Sequence, residues 1–319
     1  MKLTRIAGVS LALGLASCGG GGDNAPPPLS GGPTPSPTPT PTPTPASYTP
    51  LPSLTGDWSI DETVCWRDVD PELGILGFGQ AIPETITISY SEDREEFRLQ
   101  GDSVDITFGP SDNRSIRDDG SQGYSKFVTG GFTDVFNVTL FPVDSSDTVR
   151  AQYFGYFSLN VNSLAGPKRR YGCQFGMPTQ PGDFTASAQD FEQYAIFGTG
   201  SRSGPGTGAG AYFLMDSTID FRFDPARNEI DITLDIAAQK QPGSETELGE
   251  YTGTVPVDPA TGRFEGSLPG SLVLSAQSEF SGYLYGPRNS EAVVTFVSTG
   301  NQSSSTTFRV YGQAFLVAD

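Results

Sequence analysis

The chain has 319 residues, with 37 acidic and 19 basic side chains, three cysteines and no histidine. Without imidazole there is no Ser-His-Asp or Cys-His catalysis, no histidine-bound zinc and no histidine-ligated haem. A formal charge of −18 repels a nucleic-acid backbone and excludes nucleic acid as a partner.

Residues 1–17 are predicted to be a lipoprotein signal peptide. Lys2 and Arg5 give a positive start, and Ile6 to Leu15 give an apolar stretch too short to span about 30 Å of hydrocarbon. Leu15-Ala16-Ser17-Cys18 resembles the lipobox of bacterial lipoproteins, in which the cysteine is lipidated and becomes the mature N-terminus. The other reading is an ordinary cleaved signal beside an incidental cysteine. In lipoproteins similar to this one, the lack of Asp after the cysteine favours the outer membrane; Gly19 follows Cys18 here. One acyl chain binds a membrane only marginally, so stable anchoring at Cys18 calls for several.

Residues 18–50 form the next unit, a linker of Gly, Pro, Thr and Ser. Between Pro33 and Pro45 proline alternates with threonine or serine. Proline fixes φ and lacks an amide proton, so the stretch is predicted to be extended polyproline II, about 40 Å long at about 3.1 Å per residue. It reads as a disordered spacer that lifts a folded body off a membrane.

The body divides into a smaller β-rich domain at 51–183 and a second, more regular β domain at 184–319. In the first, strands are expected at 84–90, 95–100, 103–108, 134–141 and 149–159, and the acidic run Ser111 to Gly120 is expected to be a solvated loop. The second alternates more regularly. Ile219, Phe221 and Phe223 face one way, and Asp220, Arg222 and Asp224 the other. After the turn Asp224 to Asn228, Ile230, Ile232, Leu234 and Ile236 repeat the pattern, which is a hairpin. Further strands are expected at 191–198, 209–215, 248–256, 262–268, 272–285, 291–298 and 306–317. Many short strands at regular spacing predict a sandwich or an antiparallel barrel, and eight strands close a barrel filled by its own side chains.

With Cys18 assigned to lipid, Cys65 and Cys173 remain. In an oxidising compartment they pair as a disulfide; the alternative is two free thiols. Trp66 and Tyr171 are expected to pack around the bridge. The signatures of hydrolytic and phosphate sites fail. No serine stands three before Lys126, Lys168 or Lys240, and Gly204 to Gly210 lacks the Lys-Ser/Thr of a phosphate loop. Asp112, Asn113, Asp118, Asp119 and Gly120 offer oxygen ligands for calcium but match no EF-hand spacing, so no metal is assigned. A carboxylate pair for glycan hydrolysis stays open as a minor alternative, because spacing in space is invisible in a sequence. The aromatic groups Tyr153, Phe154, Tyr156, Phe157 and Tyr283, Tyr285 read as core, and any that are exposed read as interface anchors.

Phe280-Ser281-Gly282-Tyr283-Leu284-Tyr285-Gly286-Pro287-Arg288-Asn289-Ser290-Glu291 resembles the Gly-x-Phe-Tyr-Gly-Pro-x-Ala-x-Glu segment of transferrin-binding protein B-like surface lipoproteins. Thr261-Gly262-Arg263-Phe264-Glu265-Gly266 is similar to the Gly-x-Phe-x-Gly strand before it, and Gly176-Met177-Pro178-Thr179 to a Gly-x-Pro-Thr connector. Gly208 to Phe223 resembles the opening hairpin of that family's barrel, and Gly312-Gln313-Ala314-Phe315 its closing strand. Val293-Val294-Thr295-Phe296 departs from the family's Gly-Gly-x-Phe. The resemblance covers roughly residues 150 to 319. It implies an all-β fold, a handle followed by an eight-stranded barrel, displayed on an outer membrane. It implies non-covalent capture of a protein or nutrient-carrying ligand and transfer to a TonB-dependent receptor; the failed signatures above leave no catalytic residue and no cofactor assigned. Gly282, Tyr285, Gly286 and Pro287 are its motif residues, with structural roles, and the ligand-binding residues stay unassigned. A structural or adhesive envelope lipoprotein without a soluble ligand is the alternative.

Overall fold

A computed structural model describes residues 47–70, 82–116, 122–128, 132–139, 152–162, 168–203, 211–214, 216–240, 245–270, 274–303 and 306–319. Cys18, the signal and most of the spacer lie outside these residues. Among the described residues the regular structure is strand, apart from two single 3₁₀ turns.

The first eleven strands are β1 (Trp58–Ile60), β2 (Thr63–Asp70), β3 (Ile82–Glu84), β4 (Ile86–Ser91), β5 (Glu96–Gly101), β6 (Val104–Phe108), β7 (Asn113–Ile116), β8 (Gln122–Val128), β9 (Phe132–Thr139), β10 (Phe154–Val161) and β11 (Lys168–Gly176). They make two antiparallel sheets, in the orders β1-β4-β5-β6 and β3-β2-β11-β10-β9-β8-β7. Part of the expected acidic loop is therefore a strand. Asn113 to Ile116 pairs with β8 and exposes all four side chains, so it carries no apolar alternation to announce it. Ile86, Ile88, Phe97, Leu99 and Phe108 of the smaller sheet pack on Tyr124, Phe136, Phe157, Leu159, Tyr171 and Phe175 of the larger. Burying each of these large side chains stabilises by about 1.5–3 kcal/mol.

The remaining strands are β12 (Gln189–Ser203), β13 (Ala211–Leu214), β14 (Thr218–Asp224), β15 (Glu229–Lys240), β16 (Glu245–Pro256), β17 (Arg263–Pro269), β18 (Leu274–Tyr285), β19 (Glu291–Ser303) and β20 (Thr306–Ala318). Ladders join β14 to β15, β15 to β16, β17 to β18, β18 to β19 and β19 to β20, and β20 returns to pair with β12. Both β13 and β14 lie between β12 and β15, so they are two halves of one interrupted strand. At the interruption, the Gln193 side chain accepts the Ile219 N–H at 2.9 Å. Ser217 Oγ likewise binds the Ala237 carbonyl at 2.8 Å and its N–H at 3.0 Å. These side chains replace ladder bonds, which keeps buried backbone groups satisfied. Between β16 and β17 the ladder shrinks to two isolated bridges, Tyr251↔Gly270 and Val257↔Phe264. The result is an eight-stranded antiparallel barrel with one thin seam. Its inward side chains, among them Phe221, Phe223, Leu234, Phe264, Phe280, Phe296 and Leu316, are buried against one another.

The larger sheet has a second buried face. Phe154 stacks on Phe315 (5.2 Å between ring centroids), Trp66 on Tyr311 (5.4 Å), and Tyr156 meets Phe197 edge-on (5.4 Å). Side chains alternate along a strand, so Phe157 enters the sandwich core while Phe154 and Tyr156 face the barrel. The barrel wall answers in the same way. Val293 and Phe315 face the sheet, while Ala292, Val294, Ala314 and Leu316 face the barrel interior. With both sides covered, β19 and β20 read as nearly continuous apolar runs.

Candidate functional site

Cys65 and Cys173 are disulfide-bonded, directly opposite each other on β2 and β11. Tyr171, two residues from Cys173, shares their side of the sheet and lies in the same core. Trp66 does not pack around the bridge. As the neighbour of Cys65 it points to the opposite face and stacks on the barrel's Tyr311.

The family-like motif residues meet at the junction of sandwich and barrel. Gly286 begins a turn at φ 72°, a region that glycine enters without strain, and Pro287 sets its first helical position. The Gly286 N–H donates to the Met177 carbonyl at 2.9 Å, and Thr179 Oγ1 donates to the Gly286 carbonyl at 2.9 Å. The segment Gly176 to Thr179 is thereby stitched to Tyr285 and Gly286, with Pro178 bridging Tyr285. Tyr285 is fully buried, and burial holds its phenol well above the ordinary range. Gly282 lies in β18, opposite Val294 of β19 and Phe264 of β17. A Cβ there would collide with the Val293 carbonyl oxygen and sit 2.5 Å from Phe264 Cζ. Gly282→Ala is expected to destabilise the body by about 2 kcal/mol through overpacking, read as a lowered urea midpoint at unchanged slope.

Sequence reasoning missed the partner of this turn. Glu291, 1% exposed, accepts the backbone N–H groups of Gln152, Tyr153 (2.8 Å) and Phe154. Burial, opposed by those hydrogen bonds, pushes its carboxyl up to about 7. The clue available was its place at the end of the motif, but not the identity of the chain it holds. Among the described residues, Glu62 is the other raised carboxyl. Burial is the larger cause, and a hydrogen bond with Asp61 adds to it. The Glu291 oxygens are taken up by backbone N–H groups, and both carboxyls lie near the Tyr285 phenol. Of the calcium-type oxygens, Asp112 accepts the Gly109 N–H at 2.9 Å and closes a turn, while Asp118 to Gly120 lie outside the described residues.

Five large apolar side chains are exposed among the described residues, and three lie on the neighbouring strands β12 and β13: Tyr194 (50%), Phe197 (38%) and Phe213 (42%). A bulge between Gln193 and Ala195 interrupts the register at Tyr194. Phe213 pairs with Thr199, two residues from Phe197, so both rings stand on the outer surface. Phe197 also stacks on Phe315 (4.9 Å), which makes the patch an outward continuation of the sandwich–barrel interface. The other two, Phe127 and Ile116, stand on the outermost hairpin of the larger sheet.

No family model matches the chain, and no curated protein matches it. Among solved structures it is similar to a double mutant of the vaccine antigen transferrin-binding protein B from Haemophilus parasuis Hp5, at 10% identity and TM-score 0.37, over 83% of this chain and 77% of that one. It is similar to isotype 1 transferrin-binding protein B from serogroup B Neisseria meningitidis, at 14% identity and TM-score 0.40, over 81% of this chain and 43% of that one. A single mutant of the Haemophilus parasuis protein gives 9% identity and TM-score 0.36, with the same coverage as the double mutant.

Proposed function

We propose that this chain is an outer-membrane lipoprotein, anchored through lipidated Cys18 and held off the surface by its Pro/Thr spacer. In this reading its body captures a protein or nutrient-carrying ligand non-covalently and hands it to a TonB-dependent receptor. The two-domain reading, a handle at 51–183 and a barrel at 184–319, belongs to the same proposal. The observation that carries it is the pair of exposed rings, Phe197 and Phe213, on the barrel exterior, with exposed Tyr194 on the same strand as Phe197. The barrel interior is occupied by its own side chains, so a partner is met from outside. Clustered exposed aromatics are the side chains that anchor protein partners. The acidic surface adds long-range steering of a basic partner.

Two measurements test the reading. Protease shaving of intact cells is expected to release the body without lysis; protection until the outer membrane is broken overturns surface capture. The variant Phe213→Ala is expected to weaken binding of the partner captured by the parent protein by about 1 kcal/mol, roughly 5-fold, with an unchanged thermal midpoint. Phe197 is left in place because it also packs on Phe315. Equal affinity of parent and variant would remove the patch from the binding site.

A further inference from the structure

A cleft of about 540 Å³ opens where the sandwich meets the barrel, walled by β2, β4 and the end of β5 on one side and by β17 and β18 on the other. Half-buried Arg67 and exposed Arg263 bring two guanidinium groups to it. Thr87 and Ser281 add hydroxyls, Gln100 an amide and Asp102 a carboxylate. Counting Glu265, which pairs with Arg263, two cations stand beside two carboxylates here, against 19 basic and 37 acidic side chains in the whole chain. Both arginines stand on paired strands, Arg67 opposite Tyr171 and Arg263 opposite Tyr283, so their backbones are fixed relative to the cleft.

We infer that this cleft binds a small polyhydroxylated carboxylate, a sugar acid in chemical class. A guanidinium fork matches a carboxylate in geometry and charge. The hydroxyl and amide lining suits a ligand rich in hydroxyl groups, and the cleft lies within the 300–1,000 Å³ typical of small-molecule sites. Asp102 at the same wall disfavours a doubly charged anion such as phosphate more than it disfavours a single carboxylate. Arg263 also pairs with Glu265 at 2.8 Å, but both side chains are largely exposed, and a surface pair of this kind yields readily to a ligand. The inference concerns a small molecule and is independent of protein capture by the aromatic patch.

The test is titration of the purified full-length protein with D-glucuronate, followed by ligand-detected NMR. Methyl glucoside, acetate and inorganic phosphate are titrated beside it. Saturable glucuronate binding is expected, weakened about 10-fold or more in Arg67→Gln and in Arg263→Gln, since a hydrogen bond to a charged group is worth about 1.5–3 kcal/mol. Arg98→Gln, on the outer face of the smaller sheet where Arg98 pairs with Asp105 at 2.9 Å, is expected to leave binding unchanged. Circular dichroism of each variant separates lost binding from lost folding. No saturable binding of glucuronate, or equal binding by folded arginine variants, overturns the site. Methyl glucoside or phosphate binding as tightly as glucuronate overturns the carboxylate, and equal binding of acetate overturns the polyol.

Discussion

Replacing Cys65 and Cys173 together by alanine is expected to lower the stability of the body by about 4–5 kcal/mol. The two residues are 108 apart in sequence, and on the chain-entropy model a loop of that length costs the unfolded chain this much freedom. For a body of this size the loss corresponds to a fall of roughly 10–15 °C in thermal midpoint. The bridge also joins two adjacent inner strands, the second and third of the larger sheet, where the sandwich core and the barrel-facing layer lie on opposite sides. Loosening β2 from β11 therefore disturbs both layers. Differential scanning calorimetry of the parent and the double variant checks this. A midpoint within a degree or two of the parent's would mean that packing alone holds the strands in place.

The second large effect is a dependence on pH. Glu291 has its carboxyl raised from an ordinary 4.5 to about 7, chiefly by burial. A folded-state value above the unfolded one means that the folded protein binds the extra proton. The resulting stability is fully present below pH 4.5 and is lost as pH rises through 7. The amount is about 3 kcal/mol for a shift of this size, at about 1.4 kcal/mol per pH unit. The titratable groups facing Glu291 are the phenols of Tyr153 and Tyr285, which stay neutral over this range because burial raises both. Glu291→Gln removes the titration while keeping the shape. Urea unfolding of parent and variant at pH 4.5 and pH 8 should show the parent's stability relative to the variant falling by about 3 kcal/mol towards pH 8. Ion pairs elsewhere, such as Arg227 with Asp224 and Asp231, are common to both proteins and cancel in the difference. A difference that stays flat across the range would sink this assignment.

The barrel was more legible in the sequence than the sandwich, for a reason visible in particular strands. Along β14, Ile219, Phe221 and Phe223 are buried and the residues between them are exposed, so period-two alternation is explicit. β2 and β11 are covered on both faces, and Cys65, Trp66 and Gln174 carry no such alternation. β7 has every side chain exposed, which is why its residues read as a solvated loop. The same physics limited the site. Sequence spacing identifies Gly286 and Pro287 as a turn, but not that the turn closes on Met177 and Thr179, more than a hundred residues earlier. That Glu291 caps residues 152 to 154 is a fact about tertiary packing, and no local pattern carries it.

The thin contact between β16 and β17 gives the barrel a preferred place to open. Every other neighbouring pair is held by a ladder, and β12, β19 and β20 are further clamped beneath the sandwich. At the seam, cohesion comes from side chains: Leu268 leans over Gly253, and Val255 over Gly266, where the missing Cβ atoms leave room for them. Local opening of the barrel is therefore expected along this line, exposing two strand edges while the opposite wall keeps its hydrogen bonds. A strand edge freed in this way can recruit a strand from another molecule, and Leu268 and Val255 covering the seam are what postpone that kind of self-association.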